Sequence, residues 1–234
     1  DRSPSRGLGD VYKRQVYGVP DKIPVKETAP IKPAFSTYGY TKQVGERVLT
    51  DFFKTKSKSS LTLLRYFNPI GAHPSGLIGE LPIGVPSNLV PYITQTGVGK
   101  RKKLTVFGKD YDTADGTCIR DYIHVDDLAN AHVASLKKGL NSSESIKIYN
   151  VGTGKGVSVL DVVTAFEKVS NQKLNYEFGP RRDGDVPEIY SDNELIKNKL
   201  GWEAKFSLED CLEHSWKWEK NLVKFKYKSE KKQD

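Results

Sequence analysis

Residues 36–49 read STYGYTKQVGERVL, and residues 61–67 read LTLLRYF. Ser36 or Thr37 can cap a helix over the first stretch, because a side-chain oxygen there can accept a backbone N–H of the first turn. The apolar residues that mark one face of this helix are Val44, Val48, Leu49 and Phe52. The second stretch is a short apolar run typical of a buried strand. A helix that leads through a short loop into a buried strand predicts the end of a parallel α/β unit.

Tyr38 and Lys42 stand four residues apart near the start of the predicted helix. Four residues make about one helical turn, so the phenol and the ammonium project from the same face. A positive charge beside a phenol favours the phenolate, which can take a proton from a substrate hydroxyl. The same spacing also arises by chance in a lysine-rich chain with 12 Tyr, as at Tyr227 and Lys231. The spacing alone leaves both interpretations open.

The composition is ordinary for a soluble globular protein, with 37% hydrophobic and 28% charged residues in 234. There is no run of about 18 apolar residues, and residues 1–15 lack the apolar stretch of a signal peptide. We therefore expect a cytoplasmic protein without a membrane partner. Cys118 and Cys211 are far apart and have no His or Cys at ligand spacing, which predicts reduced thiols and no metal site.

The formal net charge is +8, which raises the question of nucleic acid. Residues 1–15 carry a net +2 and residues 221–234 a net +3, so the two ends supply five of the eight charges. A mildly basic body favours a small anionic ligand over a polyanion. We therefore expect no nucleic-acid partner.

Periodicity and turn residues predict the remaining elements. The predicted strands are 103–107, 120–125, 146–151 and 174–178, and the predicted helices are 89–98, 126–136, 158–166, 193–200 and 208–218. Ser158 and Asp161 have the spacing of a capping box. Residues 68–76 read as a turn that ends the strand 61–67, and Asn68 falls at the carboxyl end of that strand, where α/β proteins bind ligands. A turn asparagine is the alternative for Asn68.

Two loops have a composition that suggests a ligand but the wrong spacing. Residues 108–117 are rich in Asp but lack the order and closing glutamate of a calcium loop, so we interpret them as turns. Residues 152–156 read GTGKG, which is not the G-x-G-x-x-G of a dinucleotide site. A glycine turn between strand and helix is the preferred interpretation there.

Several motifs together resemble one family in order and spacing. They are VYG at 16–18, RYFNPIGAHPSGLIGE at 65–80, NLVPY at 88–92, VFGKDY at 106–111, DGTCIRDYIHV at 115–125, NVGTGKGVSV at 150–159 and PRRDGDV at 180–186. With Tyr38 and Lys42, they resemble UDP-glucose 4-epimerases, which are extended short-chain dehydrogenases/reductases. The resemblance covers residues 16 to about 218.

This resemblance implies an α/β fold made of the C-terminal part of a Rossmann-type doubly wound sheet and a smaller mixed α/β substrate domain. Residues 16–70 are then the remnant of the NAD-binding domain, 71–220 the UDP-sugar-binding domain and 221–234 a basic tail. Residues 1–15 contain DVYKRQ, which resembles a translated sequencing adaptor, and we predict that they are not native. The family's glycine fingerprint and catalytic serine or threonine precede VYG, so the resemblance implies an N-terminally truncated fragment, inactive alone.

The resemblance also implies roles for individual residues. In the family, the tyrosine matched by Tyr38 is the acid/base at the sugar 4-hydroxyl, the lysine matched by Lys42 binds the nicotinamide ribose, and Tyr66 lies where the chain approaches NAD. The residues that resemble UDP-sugar contacts are Asn68, Asn88, Leu89, Thr105, Val106, Phe107, Arg120, Arg182 and Asp185. Arg120 and Arg182 match diphosphate-binding arginines, whose planar fork suits phosphate oxygens. A surface ion pair is the alternative for each arginine.

The implied reaction interconverts UDP-glucose and UDP-galactose by NAD-dependent oxidation and re-reduction at the sugar C4. Ile189 matches a position that helps set sugar size, and it leaves the choice between UDP-hexoses and their N-acetyl forms open. The alternatives are a UDP-pentose or UDP-N-acetylhexosamine 4-epimerase, a sugar-nucleotide dehydratase, or an NAD-free UDP-sugar-binding protein. Full-length members often form homodimers through the helix that bears the residue matched by Tyr38.

Overall fold

The computed structural model describes residues 16–34, 36–55, 60–139, 146–182 and 184–230, with side chains described as far as residue 224. The segment 1–15, predicted to be non-native, lies outside the described residues. Of the predicted basic tail 221–234, the last four residues also lie outside them. Within the described ranges, no helix combines the length and apolar character needed to cross a membrane.

Six helices and nine strands follow one another along the described chain. In order they are α1 (Thr37–Lys54), β1 (Leu61–Tyr66), β2 (Asn68–Ile70), α2 (Leu89–Gly97), β3 (Leu104–Phe107), β4 (Ile119–Arg120), β5 (Tyr122–His124), α3 (Val125–Gly139), β6 (Ile146–Val151), β7 (Val157–Ser158), α4 (Val159–Ser170), β8 (Tyr176–Gly179), β9 (Glu188–Ile189), α5 (Glu194–Leu200) and α6 (Leu208–Glu230).

Most strand pairs are parallel. β1 pairs with β6, β2 with β5, and β3 with β8, all parallel, and β4 lies between antiparallel β7 and parallel β9. Each parallel pair joins strands that are distant in sequence, with at least one helix between them. Such crossovers are typical of α/β proteins, so the predicted α/β class is confirmed, while the division into domains at residue 70 stays a prediction.

The predicted helix starts follow from side-chain caps. Ser36 caps α1, because its hydroxyl oxygen accepts the Gly39 amide N–H at 3.0 Å. The capping box of α4 is confirmed: Ser158 Oγ accepts the Asp161 N–H at 2.9 Å, and the Asp161 carboxylate accepts the Ser158 N–H at 3.1 Å. Each cap satisfies backbone donors that a helix cannot satisfy itself.

Three predictions of local structure are wrong. The single strand predicted over 120–125 is two strands, because the chain passes at Asp121 from the sheet of β4 to that of β5. Asn68–Ile70 form β2 rather than a turn, since the Asn68 N–H donates to the Asp121 carbonyl oxygen at 2.9 Å. The last helix does not end near Trp218 but continues to Glu230, into the segment predicted as a basic tail.

Helix α6 holds the loop that precedes α2. The Lys217 ammonium donates to the Pro74 carbonyl at 2.7 Å, the Trp218 indole N–H to the Glu80 carbonyl at 2.9 Å, and the Asn221 amide to the Gly76 carbonyl at 2.8 Å. These long side chains anchor residues 74–80 of the loop. They also explain why the helix persists past Trp218, since tertiary contacts stabilise helices more than propensity does.

Two apolar clusters bury most of the core. The larger lies between α2, α4 and α6 and includes Ile93, Val162, Phe166, Leu212 and Trp216. The second packs α3 and α5 on β6 and includes Ile123, Val151, Ile196 and Trp202. Both form where the apolar faces of amphipathic helices meet strands or other helices, which is what their sequence periodicity predicts.

A fully buried histidine connects β5 to α6. His124 Nδ1 accepts the Asp126 N–H at 3.0 Å, so its Nε2 carries the proton and donates to His214 Nδ1 at 3.0 Å. The Phe206 ring stacks on His124 with centroids 4.1 Å apart. Burial lowers the pKa of His124, and neighbouring carboxylates, Asp126 foremost, offset this only in part.

We expect the unfolding free energy to fall as the pH drops from about 7.5 to 5.5, around the ordinary histidine pKa of about 6.5. The lowered pKa means that the unfolded chain binds the proton more readily, so the His124 contribution is complete above that pH and lost below it. Urea unfolding at several pH values measures this. His124→Gln should flatten the dependence, whereas His132→Gln on exposed His132 should not. Equal slopes for the natural chain and His124→Gln would contradict the assignment.

Candidate functional site

A cavity of about 450 Å³ opens beside β2, β3 and β4. All nine residues that the sequence predicts as substrate contacts line it: Asn68, Asn88, Leu89, Thr105, Val106, Phe107, Arg120, Arg182 and Asp185. They come from β2, the start of α2, β3, β4 and the loop before β9. The fold therefore brings five separate segments to one cavity, and their part in ligand binding stays a prediction.

Local structure explains how two of these residues reach the cavity. Asn68 opens β2, and its backbone N–H is held by the Asp121 carbonyl. Asn88 precedes α2 as its N-cap residue, but its side chain does not cap the helix; it donates to Glu80 Oε1 at 2.6 Å. Asn68 is thus held by the β4–β5 junction and Asn88 by the loop before α2, which α6 in turn holds at Glu80.

Arg120 forms a buried ion pair in the cavity wall. One terminal nitrogen donates to Asp185 Oδ1 at 3.1 Å, and the other donates to the Ile119 and Pro187 carbonyls at 2.8 and 3.3 Å. The side chains of Arg120 and Asp185 are only 6% and 10% exposed. The alternative of a surface ion pair is therefore wrong for Arg120. A buried guanidinium with a carboxylate beside it presents its charge to the cavity from a fixed position.

Arg182 and its neighbour Arg181 point to different partners. The Arg182 guanidinium lies 4.0 Å from the centroid of the Phe107 ring, and both residues line the cavity. Arg181 lies over the Tyr111 ring at 4.4 Å, and its Nε donates to the Asp110 carboxylate at 2.8 Å. Because Arg182 is exposed and stacks on an aromatic face, its fork remains close to the cavity opening.

Sequence reasoning missed several cavity residues, of which Cys118 is the most informative chemically. Cys118 is 4% exposed and lies two residues before Arg120 in an extended segment, so the two side chains share one face. That alternation is the signal that could have found it. Burial raises the pKa of the Cys118 thiol, which keeps it neutral and weakly nucleophilic near pH 7.

The predicted acid/base and cofactor residues lie elsewhere. Lys42 Nζ lies 4.9 Å from the centroid of the Tyr38 ring on α1, which confirms that the two side chains share a face. Tyr38 is 39% exposed and Lys42 is exposed, so both residues reach the surface of α1. Tyr66 ends β1 and packs against the cluster of α3 and α5. None of the three is among the residues that line the cavity.

Ile189 lies in the core beside the cavity wall. It is 1% exposed, pairs with Arg120 across β4 and β9, and packs in a small cluster with Tyr17, Val25 and Phe67. It does not line the cavity. Its influence on sugar size stays a prediction.

The glycine turn after β6 is occupied by a carboxylate of the chain itself. Asp121 Oδ1 accepts the Thr153 N–H at 2.8 Å, and Oδ2 accepts the Gly154 N–H at 3.2 Å. In a phosphate-binding turn, backbone N–H groups such as those of Thr153 and Gly154 would donate to the phosphate. The structure therefore supports the interpretation as a glycine turn. In the part of the chain that the structure describes, no group of three or more His, Cys, Asp or Glu side chains is arranged to hold a metal ion.

Residues 14–215 match the profile of a protein family described as GDP-mannose 4,6 dehydratase. Among curated proteins, the chain is 51% identical over 208 residues to UDP-glucose 4-epimerase of Bacillus subtilis strain 168, covering 89% of this chain and 61% of that protein. It is 50% identical over 209 residues to UDP-glucose 4-epimerase of Haemophilus influenzae, covering 89% and 62%. The chain thus spans about three fifths of the length of these relatives.

Solved structures resemble the fold closely. The UDP-glucose 4-epimerase of Bifidobacterium longum, in complex with NAD+ and UDP, superposes with a TM-score of 0.85 at 42% identity, over 88% of this chain and 61% of that one. The UDP-glucose-4-epimerase of Stenotrophomonas maltophila, with bound NAD and formylated UDP-arabinopyranose, gives 0.87 at 46% identity, over 90% and 62%.

We expect Gly152→Ala to lower the free energy of unfolding by about 3 kcal/mol. A Cβ at Gly152 would lie 2.3 Å from both Asp121 Oδ2 and Ser191 Oγ, so the cost is steric. Urea unfolding measures it. Gly45→Ala is the control: its Cβ would meet nothing within 4 Å, and we expect a gain of about 0.5–1 kcal/mol in α1. Equal effects of the two substitutions would contradict the packing at Gly152.

Proposed function

Since the chain belongs to the extended short-chain dehydrogenase/reductase family matched by the GDP-mannose 4,6 dehydratase profile, we propose that it forms part of a UDP-glucose 4-epimerase. In this proposal it contributes the UDP-sugar-binding cavity and the acid/base pair. The reaction is the interconversion of UDP-glucose and UDP-galactose at the sugar C4. The curated relatives of this chain are named UDP-glucose 4-epimerase.

The observation that carries the proposal is the convergence of nine predicted contacts on one cavity. Its volume of about 450 Å³ is within the range of small-molecule sites. The two arginines supply positive charge for a diphosphate, while Leu89, Val106 and Phe107 supply an apolar wall for a base. A cavity that combines one cationic and one apolar side suits a nucleoside diphosphate better than a neutral sugar alone.

The two arginines have different roles in this proposal. Arg120 already bonds Asp185 and two carbonyls, so it stabilises negative charge from within the wall. Arg182 has only the Phe107 ring against it among its described contacts, which leaves its N–H donors available to phosphate oxygens. We therefore assign the more direct phosphate contact to Arg182.

Tyr38 and Lys42 are the proposed acid/base pair. The Lys42 ammonium lies 4.9 Å from the centroid of the Tyr38 ring. In the proposed reaction the Tyr38 phenol oxygen takes the proton of the sugar 4-hydroxyl and later returns it. The Tyr38 and Lys42 side chains share one face of α1, and their hydroxyl and ammonium groups suit the ribose and nicotinamide end of NAD. When bound, NAD supplies the hydride acceptor and donor at the sugar C4.

Within the described residues, the fit to NAD is limited to the ribose and nicotinamide end of the cofactor. The turn at 152–156 is rich in glycine, but two of its amide N–H groups already donate to the Asp121 carboxylate. We therefore assign no pyrophosphate contact to this turn. An NAD-free UDP-sugar-binding protein is the alternative, and nicotinamide analysis of the protein encoded by the whole gene distinguishes the two.

The preferred sugar is a finer proposal. We favour UDP-glucose and UDP-galactose because of the names of the curated relatives. Related structures include a UDP-Glc/GlcNAc 4-epimerase from Campylobacter jejuni and the enzyme with bound formylated UDP-arabinopyranose. Turnover of UDP-hexoses, UDP-N-acetylhexosamines and UDP-pentoses, compared side by side, decides among them.

We expect Arg182→Ala to weaken UDP binding to the chain by about 10- to 100-fold, because a charge-assisted hydrogen bond contributes about 1.5–3 kcal/mol. Isothermal titration calorimetry measures the change in Kd. Arg181→Ala is the matched control, since Arg181 pairs with Asp110 outside the cavity, and it should stay within about twofold. If the natural chain does not bind UDP, or if both variants bind alike, the proposed site is wrong.

We expect Tyr38→Phe to lower kcat for epimerisation by about 100-fold or more, because it removes the group that transfers the proton. The assay uses the protein encoded by the whole gene and UDP-galactose as substrate. Tyr40→Phe changes an exposed tyrosine on the same helix and should leave kcat unchanged. An undiminished kcat for Tyr38→Phe would remove this residue from the chemistry.

We also propose a homodimer formed through α1. Its exposed face carries an apolar stripe, made of Tyr40, Val44, Val48, Leu49 and Phe52. Contiguous exposed apolar residues mark interaction surfaces. For the protein encoded by the whole gene, Val48→Glu should shift sedimentation from dimer to monomer, and Val133→Glu on exposed α3 should not. A dimer that survives Val48→Glu would exclude this interface.

A further inference from the structure

Asp121 is a buried carboxylate whose described hydrogen bonds all come from neutral groups. It is 0% exposed and lies between β4 and β5. Oδ1 accepts the Thr153 N–H at 2.8 Å and the Thr153 hydroxyl at 2.7 Å. Oδ2 accepts the Ser191 N–H at 3.1 Å, the Ser191 hydroxyl at 2.6 Å and the Gly154 N–H at 3.2 Å. Five donors therefore compensate for the lost hydration of the charge.

These donors form a backbone nest that the chain fills itself. Successive N–H groups in a glycine turn make an anion-binding concavity. Here the anion is the Asp121 side chain, and Gly152 permits its approach because it has no Cβ. The Asp121 side chain thereby connects the β4–β5 junction to the glycine turn and to the loop at Ser191.

Asp121 is connected through its backbone to two cavity residues. Arg120 immediately precedes Asp121, and the Asp121 carbonyl oxygen accepts the Asn68 N–H at 2.9 Å. Arg120 belongs to the sheet of β4, whereas Asn68 pairs with β5. A shift of Asp121 therefore moves both residues relative to the cavity.

We infer that Asp121 is a positioning residue, which sets Arg120 and Asn68 for a nucleoside diphosphate by anchoring their shared backbone to the glycine turn and Ser191. This inference rests on the proposed UDP-sugar site. It assigns no ligand contact to Asp121 itself. A carboxylate suits the role because both of its oxygens accept hydrogen bonds. An asparagine amide would place its own N–H groups against the N–H and O–H donors that surround Asp121.

The test compares Asp121→Asn with Asp127→Asn in the full chain. Asp127 is 1% exposed and accepts the Lys205 and Phe206 N–H groups at 2.9 and 3.0 Å, but it is not among the residues that line the cavity. Both variants should melt at lower temperature. Titration calorimetry with UDP, at a temperature where circular dichroism shows all proteins folded, should give Asp121→Asn about tenfold or greater loss of affinity. Asp127→Asn should stay within about twofold.

Natural affinity in Asp121→Asn, or an equal loss in both variants, would overturn the inference. Hydrogen exchange without ligand gives a second readout: the Asn68 amide should exchange faster in Asp121→Asn and unchanged in Asp127→Asn. If the natural chain does not bind UDP, the proposed function fails and the exchange result alone decides the positioning role. If Asp121→Asn does not fold, Ser191→Ala is the second variant, because it removes one hydrogen-bond donor to Asp121. An unchanged exchange rate of the Asn68 amide in Ser191→Ala would also overturn the inference.

Discussion

The buried Asp121 carboxylate, whose described hydrogen bonds all come from neutral groups, holds three segments of this fold together. Burial of an ionised carboxylate is costly unless its oxygens are saturated, and Asp121 meets that condition only by drawing donors from two distant segments. The arrangement explains three otherwise separate features: the break between β4 and β5, the glycine at position 152 and the contact of the turn with Ser191. A buried charge of this kind allows few alternative backbone arrangements, because any of them would leave donors or acceptors unpaired.

The cavity combines a rigid and an adaptable cation. Arg120 is enclosed and paired with Asp185, so its charge is partly neutralised before any ligand arrives. Arg182 is exposed and lies on an aromatic face, so it can reorient without breaking a buried hydrogen bond. The same cavity is thus lined by two guanidinium groups, one fixed within the wall by its ion pair and one exposed against an aromatic ring.

Sequence reasoning reached the regular elements and the residues around the cavity by different routes. Caps such as Ser158 with Asp161 are local, so spacing alone predicts them. The cavity residues came from the order of composite motifs, because no periodicity relates Asn68 to Arg182. Local sequence could not predict the division of 120–125 into two strands or the length of α6, because each depends on partners more than 50 residues away. Asp121 bonds Asn68 in the first case, and Asn221 bonds Gly76 in the second. Cys118 was missed although alternation with Arg120 pointed to it.

The attachment of α6 to the loop before α2 has a consequence for biosynthesis. The Glu80 side chain accepts a hydrogen bond from Asn88, and the Glu80 carbonyl accepts one from Trp218, which lies 138 positions later in the sequence. A ribosome delivers the loop and Asn88 long before it delivers the helix that fastens them. The contact that fastens Glu80, and through it Asn88 in the cavity wall, can therefore form only after Trp218 has been synthesised.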